Sequence, residues 1–144
     1  MQNKRYKPLI DRMLYIVWVP TTVLLLIPTA LSVTNVTALI IMLAVDAFTY
    51  YFLVSSLIGY VELREKTVFI RFGFFLKREI PYERIRGVDK ARKFYSESML
   101  SLKNSFDHLN IRYNRFDIVC VSVVGNDELM AELEKRRSQS TEIA

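Results

Sequence analysis

The chain has 144 residues and a formal net charge of +5, room for one modest domain, with four basic and two acidic residues before Tyr60 and 16 and 13 from there on. Lys and Arg are interleaved with Asp and Glu, which argues against a nucleic-acid binder. A lone cysteine, Cys120, excludes an internal disulfide, and with the lone histidine, His108, it excludes a Cys/His zinc site.

Residues 1–59 predict a basic N-terminus and a transmembrane hairpin. Residues 14–31 carry no charge and residues 36–58 carry only Asp46. At about 1.5 Å per residue these runs reach roughly 27 and 34 Å, enough for a hydrocarbon core of about 30 Å. Residues 32–35 are polar and uncharged and leave room only for a tight antiparallel turn. Lys4, Arg5, Lys7 and Arg12 flank the first span while the turn has no basic residue, so a two-span cell-membrane protein with both termini cytoplasmic is expected. Tyr15, Trp18 and Tyr60 then belong near the cytoplasmic interface. A cleaved signal peptide would share the basic start and the small residues near Ala30 and Ser32, but the apolar run exceeds a usual signal core and a second span follows at once. The glycosylation triplet at Asn35 lies too close to the bilayer to be given a role.

Asp46 falls near the middle of the second span, where a charged carboxylate costs about 2.5–3.5 kcal/mol on insertion scales, so it is expected to face protein. In an antiparallel pair the midpoint of the first span, near Thr22, places the hydroxyls of Thr21 and Thr22 at its depth. Pro20 and Pro28 free the carbonyls of Ile16 and Leu24 as further acceptors. Two roles follow: a neutral carboxyl that holds helices or subunits together, or a group in a proton or ion path with Thr49, Tyr50 and Ser55 as its few polar companions.

From Tyr60 the period changes to two. Residues 60–64 and 68–72 alternate about a turn at Glu65 and Lys66, residues 74–80 predict a third strand ended by Pro81, and residues 82–85 one helical turn. Residues 86–94 predict a strand with Arg86, Val88, Lys90, Arg92 and Phe94 on one face, and residues 95–104 a loop. Residues 108–113 and 116–122 predict a hairpin about Asn114 and Arg115. Residues 127–137 predict a helix with Leu129, Met130 and Leu133 on its apolar side and Lys135, Arg136 and Arg137 at its C-terminal end, followed by a flexible tail, 138–144. The expected fold class is an α+β membrane protein: a two-helix transmembrane hairpin, then at 60–137 a small antiparallel β roll or partial barrel capped by a C-terminal amphipathic helix.

No catalytic motif is present. His108 reads as a strand residue, Cys120 as a buried small hydrophobe, and Asp107 and Asp117 as the aspartates that hairpin ends attract, so no enzyme, catalytic residue, metal or cofactor is expected. The candidate interaction surface is Lys77, Arg78, Arg84, Arg86, Lys90, Arg92 and Lys93, each able to contribute about 1 kcal/mol beside an anionic leaflet, with Glu79, Glu83 and Asp89 set against them.

Three stretches resemble the bacterial pleckstrin-homology-like (PH-like) domain of small membrane proteins called YyaB-like: the Ile80-Pro81-Tyr82 turn within residues 79–85, the strand at 105–113, and the hairpin and last strand at 113–122. Asn114 stands where glycine is usual, His108 where arginine is usual, and Val123 where proline often follows the serine. The resemblance covers about 60–133. It implies one or two N-terminal membrane helices before the domain, and a non-enzymatic binding or assembly module whose relatives are associated with oligomeric assembly, envelope stress and protection from membrane-active peptides. Expected partners are the lipid bilayer with its anionic headgroups, further copies of the chain or other membrane proteins. The alternative is an oligomeric proton- or ion-conducting protein built on Asp46.

Overall fold

The computed structural model of the chain describes residues 3–96, 98, 101–102 and 105–143. Helix α1, Arg12–Leu31, starts on Asp11, whose carboxylate accepts from the Arg12 amide at 2.6 Å. A 3₁₀ turn, Ser32–Thr34, prolongs this arm, and α2, Val36–Ser55, starts on Asn35, whose side chain accepts from the Ala38 amide. Thr21, Thr29 and Ser32 return their hydroxyls to carbonyls one turn back, which lets these polar residues sit in an apolar helix. Both helices are long and apolar enough to cross a membrane, and neither has a buried residue.

The β domain has two four-stranded sheets. One has the order β1-β2-β3-β4, from Lys4–Tyr6, Gly59–Leu63, Thr67–Phe72 and Leu76–Pro81. The other has the order β5-β7-β8-β6, from Ile85–Arg92, Asp107–Tyr113, Asp117–Val121 and Ser101–Leu102. All pairings are antiparallel except β6 with β8. The expected loop 95–104 falls partly on residues outside those described, but Ser101–Leu102 within it is a strand. The hairpin about Asn114 forms as expected, with that residue at a φ of 50°.

The expected boundary at Tyr60 leaves out a strand. Lys4, Arg5 and Tyr6 pair with Leu63, Glu62 and Val61, and Pro8 bridges to Val123, so the chain before α1 is stitched to both sheets. Leu9 donates to the Ser122 carbonyl and Val124 to that of Lys7, each within 3.0 Å. A strand of three residues is too short to show a periodicity of its own; only its partners create it. The pairing also brings the chain before α1 and the chain after α2 to the same end of the helical hairpin.

Two further elements differ from expectation. Phe74 and Phe75 are not in a strand: Gly73, at a φ of 66°, turns the chain, and β4 begins at Leu76. Helix α3 runs Asn126–Ile143, so residues 138–143 are not a tail but its last turns. The chain continues there because no Gly or Pro stops it.

Between the sheets lies a core of Val61, Leu63, Val68, Ile70, Ile80, Leu109, Ile111, Val119 and Val121, all at most 1% exposed, closed by Leu129 and Leu133 of α3. Arg136 is buried too: it pairs with Glu132 at 2.9 Å and donates to the Arg64 carbonyl at 2.9 Å. Instead of facing the helix dipole at an open end, it fastens α3 to the β2–β3 turn.

Candidate functional site

The β domain has a near end, which joins the helices, and a far end. Near are Gly59, Phe72 and Leu76, which border α2, together with Arg92 and Asp107, which pair beside Ser105, whose hydroxyl donates to Asp11 at the start of α1. Far are Leu63, Thr67, Pro81, Ile85, Tyr113 and Asp117. The expected basic set does not form one patch on this frame. Lys77, Arg92 and Lys93 are near, Arg84 and Arg86 are far, and the set is divided between two sheets.

Several of these cations already have partners. Lys90 holds Asp127 of α3 at 2.7 Å, Arg92 lies 3.9 Å from Asp107, and Arg78 donates to the Tyr113 hydroxyl at 3.1 Å. The hydrogen bond to Asp127 raises the Lys90 pKa. The alternation expected on β5 also breaks: a register shift between Ile85 and Gly87 takes Arg86 out of line, while Val88 stays buried. A bulge of one residue cannot be seen in a period-two pattern, because it requires knowing the partner strand.

At the far end an open cleft of about 470 Å³ is lined by Arg86, Asp89, Arg112, Tyr113, Arg115 and Phe116, among others. Arg112 and Asp89 form an ion pair at 3.0 Å across its floor, and Phe116 is 83% exposed at its rim. Of these only Arg86 belongs to the expected set; Arg112 and Arg115 lie apart from it in sequence and join it only through the fold.

Asp46 is not paired with Thr21 or Thr22. Its Oδ2 lies 2.8 Å from Thr29 Oγ1, whereas Thr22 accepts from Tyr50 at 3.0 Å and Thr21 donates to the Val17 carbonyl. The 3₁₀ turn lengthens the first arm and shifts the register, and a helical side chain leans toward its own N-terminus, which for α2 is the tip of the hairpin and so points Asp46 to Thr29. Thr29 Oγ1 is also 2.9 Å from the Leu25 carbonyl, so its single hydroxyl hydrogen is shared between that carbonyl and Asp46. Asp46 Oδ1 is buried without a hydrogen-bond partner among the described residues.

His108 and Cys120 lie inside the domain. His108 is fully buried with Nδ1 3.1 Å from the Phe106 carbonyl, and the Cys120 thiol lies 2.9 Å from Asn110 Oδ1 in the core. Asp107 and Asp117 start β7 and β8 and so sit at opposite ends of one antiparallel pair. Among the described residues no three His, Cys, Asp or Glu side chains gather as metal ligands.

One near-end feature has no counterpart in the expected site. The turn between β3 and β4 folds back beside the last turns of α2, where Tyr51 stacks on Phe74 and Phe75 with centroids 5.5 and 6.4 Å apart. The sequence places Phe74 and Phe75 in the expected strand 74–80, where nothing marks them as a turn.

The sequence model of one family, described as bacterial PH domain, matches residues 59–137. No curated protein and no solved structure matches the chain. The matched segment covers β2 through most of α3, and leaves β1 and the helical hairpin outside it. PH domains are as a rule binding modules without catalytic chemistry. More than half of the chain, with two sheets closed by a C-terminal helix, is covered by this match: the chain belongs to the bacterial PH domain family.

Proposed function

We propose that the protein is a non-enzymatic binding and assembly module anchored in the cell membrane by α1 and α2, with both termini and the β domain in the cytoplasm. The observation that carries this reading is the stitching of the chain on both sides of the hairpin into one domain of a binding family. A domain held this way cannot swing freely, so its far cleft, with Arg112, Arg115 and Phe116, is turned away from the bilayer and offered to a protein partner or another copy. Lys4, Arg5, Lys7 and Arg12 support the cytoplasmic side. The near end, with Lys77, Arg92 and Lys93, is the part of the basic set placed to meet anionic headgroups. The resemblance to YyaB-like proteins adds a physiological setting, envelope stress or protection from membrane-active peptides.

A photocrosslinking residue in place of Phe116, irradiated in native membranes and followed by mass analysis, tests the module. Adducts with a defined protein or with the chain itself are expected; a silent cleft would remove it as a contact surface. A cysteine at Asn35 should label from outside intact cells, and labelling only after permeabilisation would reverse the topology. A second reading, conduction through Asp46 in an oligomer, draws on the unpartnered Asp46 Oδ1, which a neighbouring copy would have to face. Unchanged ion flux in vesicles on Asp46→Asn would dismiss it.

A further inference from the structure

Among the described residues, the near end of the β domain carries a group of exposed apolar side chains, Ile10, Phe74, Phe75, Leu76, Phe94 and Val124, apart from the exposed Phe116 at the far end and Ile143 at the end of α3. Phe75 is the most exposed of this near-end group at 82%, and it projects beside α2, a helix whose own surface is exposed and apolar. Tyr51, four residues before the end of α2, stacks on Phe74 and Phe75, so this turn lies alongside the helix. Gly73 permits the approach: a Cβ there would collide with Ser55 Oγ.

The backbone of the turn is prepared for an apolar setting. Arg71 donates from Nε to the Gly73 carbonyl at 3.1 Å and from Nη2 to that of Phe74 at 3.3 Å. Such carbonyls are costly to carry bare out of water. Arg71 stands opposite Lys77 in the β3–β4 ladder, so two cations mark the level at which the apolar tip begins. A tip of aromatic and aliphatic residues above a pair of cations matches the layering of a leaflet, acyl chains beyond phosphates.

We propose that the β3–β4 turn enters the cytoplasmic leaflet beside α2, with Phe74, Phe75 and Leu76 among the upper acyl chains and Arg71 and Lys77 at the headgroup phosphates. The inference rests on the reading of α1 and α2 as membrane spans. Lipid is the occupant because the exposed face of the turn continues the apolar surface of α2 through the stacked Tyr51. The turn is then a third point of attachment, which fixes the tilt of the domain on the membrane and leaves the far cleft facing the cytoplasm.

The test uses the full chain in nanodiscs containing phosphatidylglycerol. Trp18 is the native chain's single tryptophan, and a second protein carries Phe75→Trp with Trp18→Phe. The indole introduced by Phe75→Trp should emit at shorter wavelength than in the unfolded chain, be shielded from aqueous iodide, and be quenched more by nitroxide lipids labelled high on the acyl chain than by those labelled at its end. Iodide quenching equal to that of the unfolded chain, with no effect of nitroxide lipids, would overturn the proposal while lipid quenching of Trp18 left the spans standing. Lipid quenching of neither indole would remove the spans as well. Copy-to-copy disulfides at a Phe75→Cys variant, together with a lipid-silent indole in the Phe75→Trp protein, would give the face to a second copy and overturn lipid as the occupant.

Discussion

Tyr6 stands directly opposite Val61 in an antiparallel ladder, although both long helices lie between them in the sequence. The ring is 4% exposed and packs in the core of the domain. Tyr6→Ala should therefore lower stability by about 2–4 kcal/mol, as large core truncations do. Tyr6→Phe should cost at most about 1 kcal/mol. Urea unfolding of the full chain in detergent separates the two, and the same loss on deleting residues 3–8 would show that the strand acts as a unit.

Gly73 and Gly87 should respond in opposite ways to alanine. At Gly73 the positive φ alone costs about 1–2 kcal/mol for any other residue, and the Ser55 backbone carbonyl 3.0 Å from the new Cβ adds to it. At Gly87 a Cβ meets nothing within 4 Å, and alanine should be neutral or stabilise by up to about 1 kcal/mol through the unfolded chain. Shifts of the urea midpoint read both.

Stability should fall at both ends of the pH scale. The hydrogen bond from Arg136 holds the Glu132 carboxyl below its usual 4.5, and Thr67, then Arg64, do the same for Glu79. A lowered folded pKa gives stability that is full above about pH 4.5 and lost as pH drops through the folded values. Burial raises Tyr82 and Tyr6 above 10, so their contribution is full below pH 10 and is lost as pH rises through the folded values. Thermal melting across pH should show both limbs, the acid one flattened by Glu132→Gln and the alkaline one by Tyr82→Phe.

Asp46→Asn keeps a hydrogen-bonding partner for Thr29 and should be nearly silent, since polar contacts between membrane helices average about 0.6 kcal/mol. Asp46→Leu should insert normally and weaken helix packing slightly. Normal assembly with cellular function abolished in both variants would instead make the carboxyl group itself essential.

The two apolar runs, the period-two stretches after Tyr60 and the turn chemistry at Pro81 and Asn114 were legible in the sequence, because each depends on neighbours a few residues apart. These were enough for the helical hairpin, most strands and the class of the domain. Partners distant in the chain were not legible. The strand at Lys4–Tyr6 exists only because Val61 and Leu63 are beside it, the partner of Asp46 depends on how the 3₁₀ turn sets the helix register, and the basic set is split because β4 and β5 belong to different sheets. The aromatic tip was written in the sequence as Phe74-Phe75, but only the fold placed it beside Tyr51. Composition and periodicity report what a residue prefers; which residue it meets is set by closing the chain on itself, and that is decided by packing over the whole molecule.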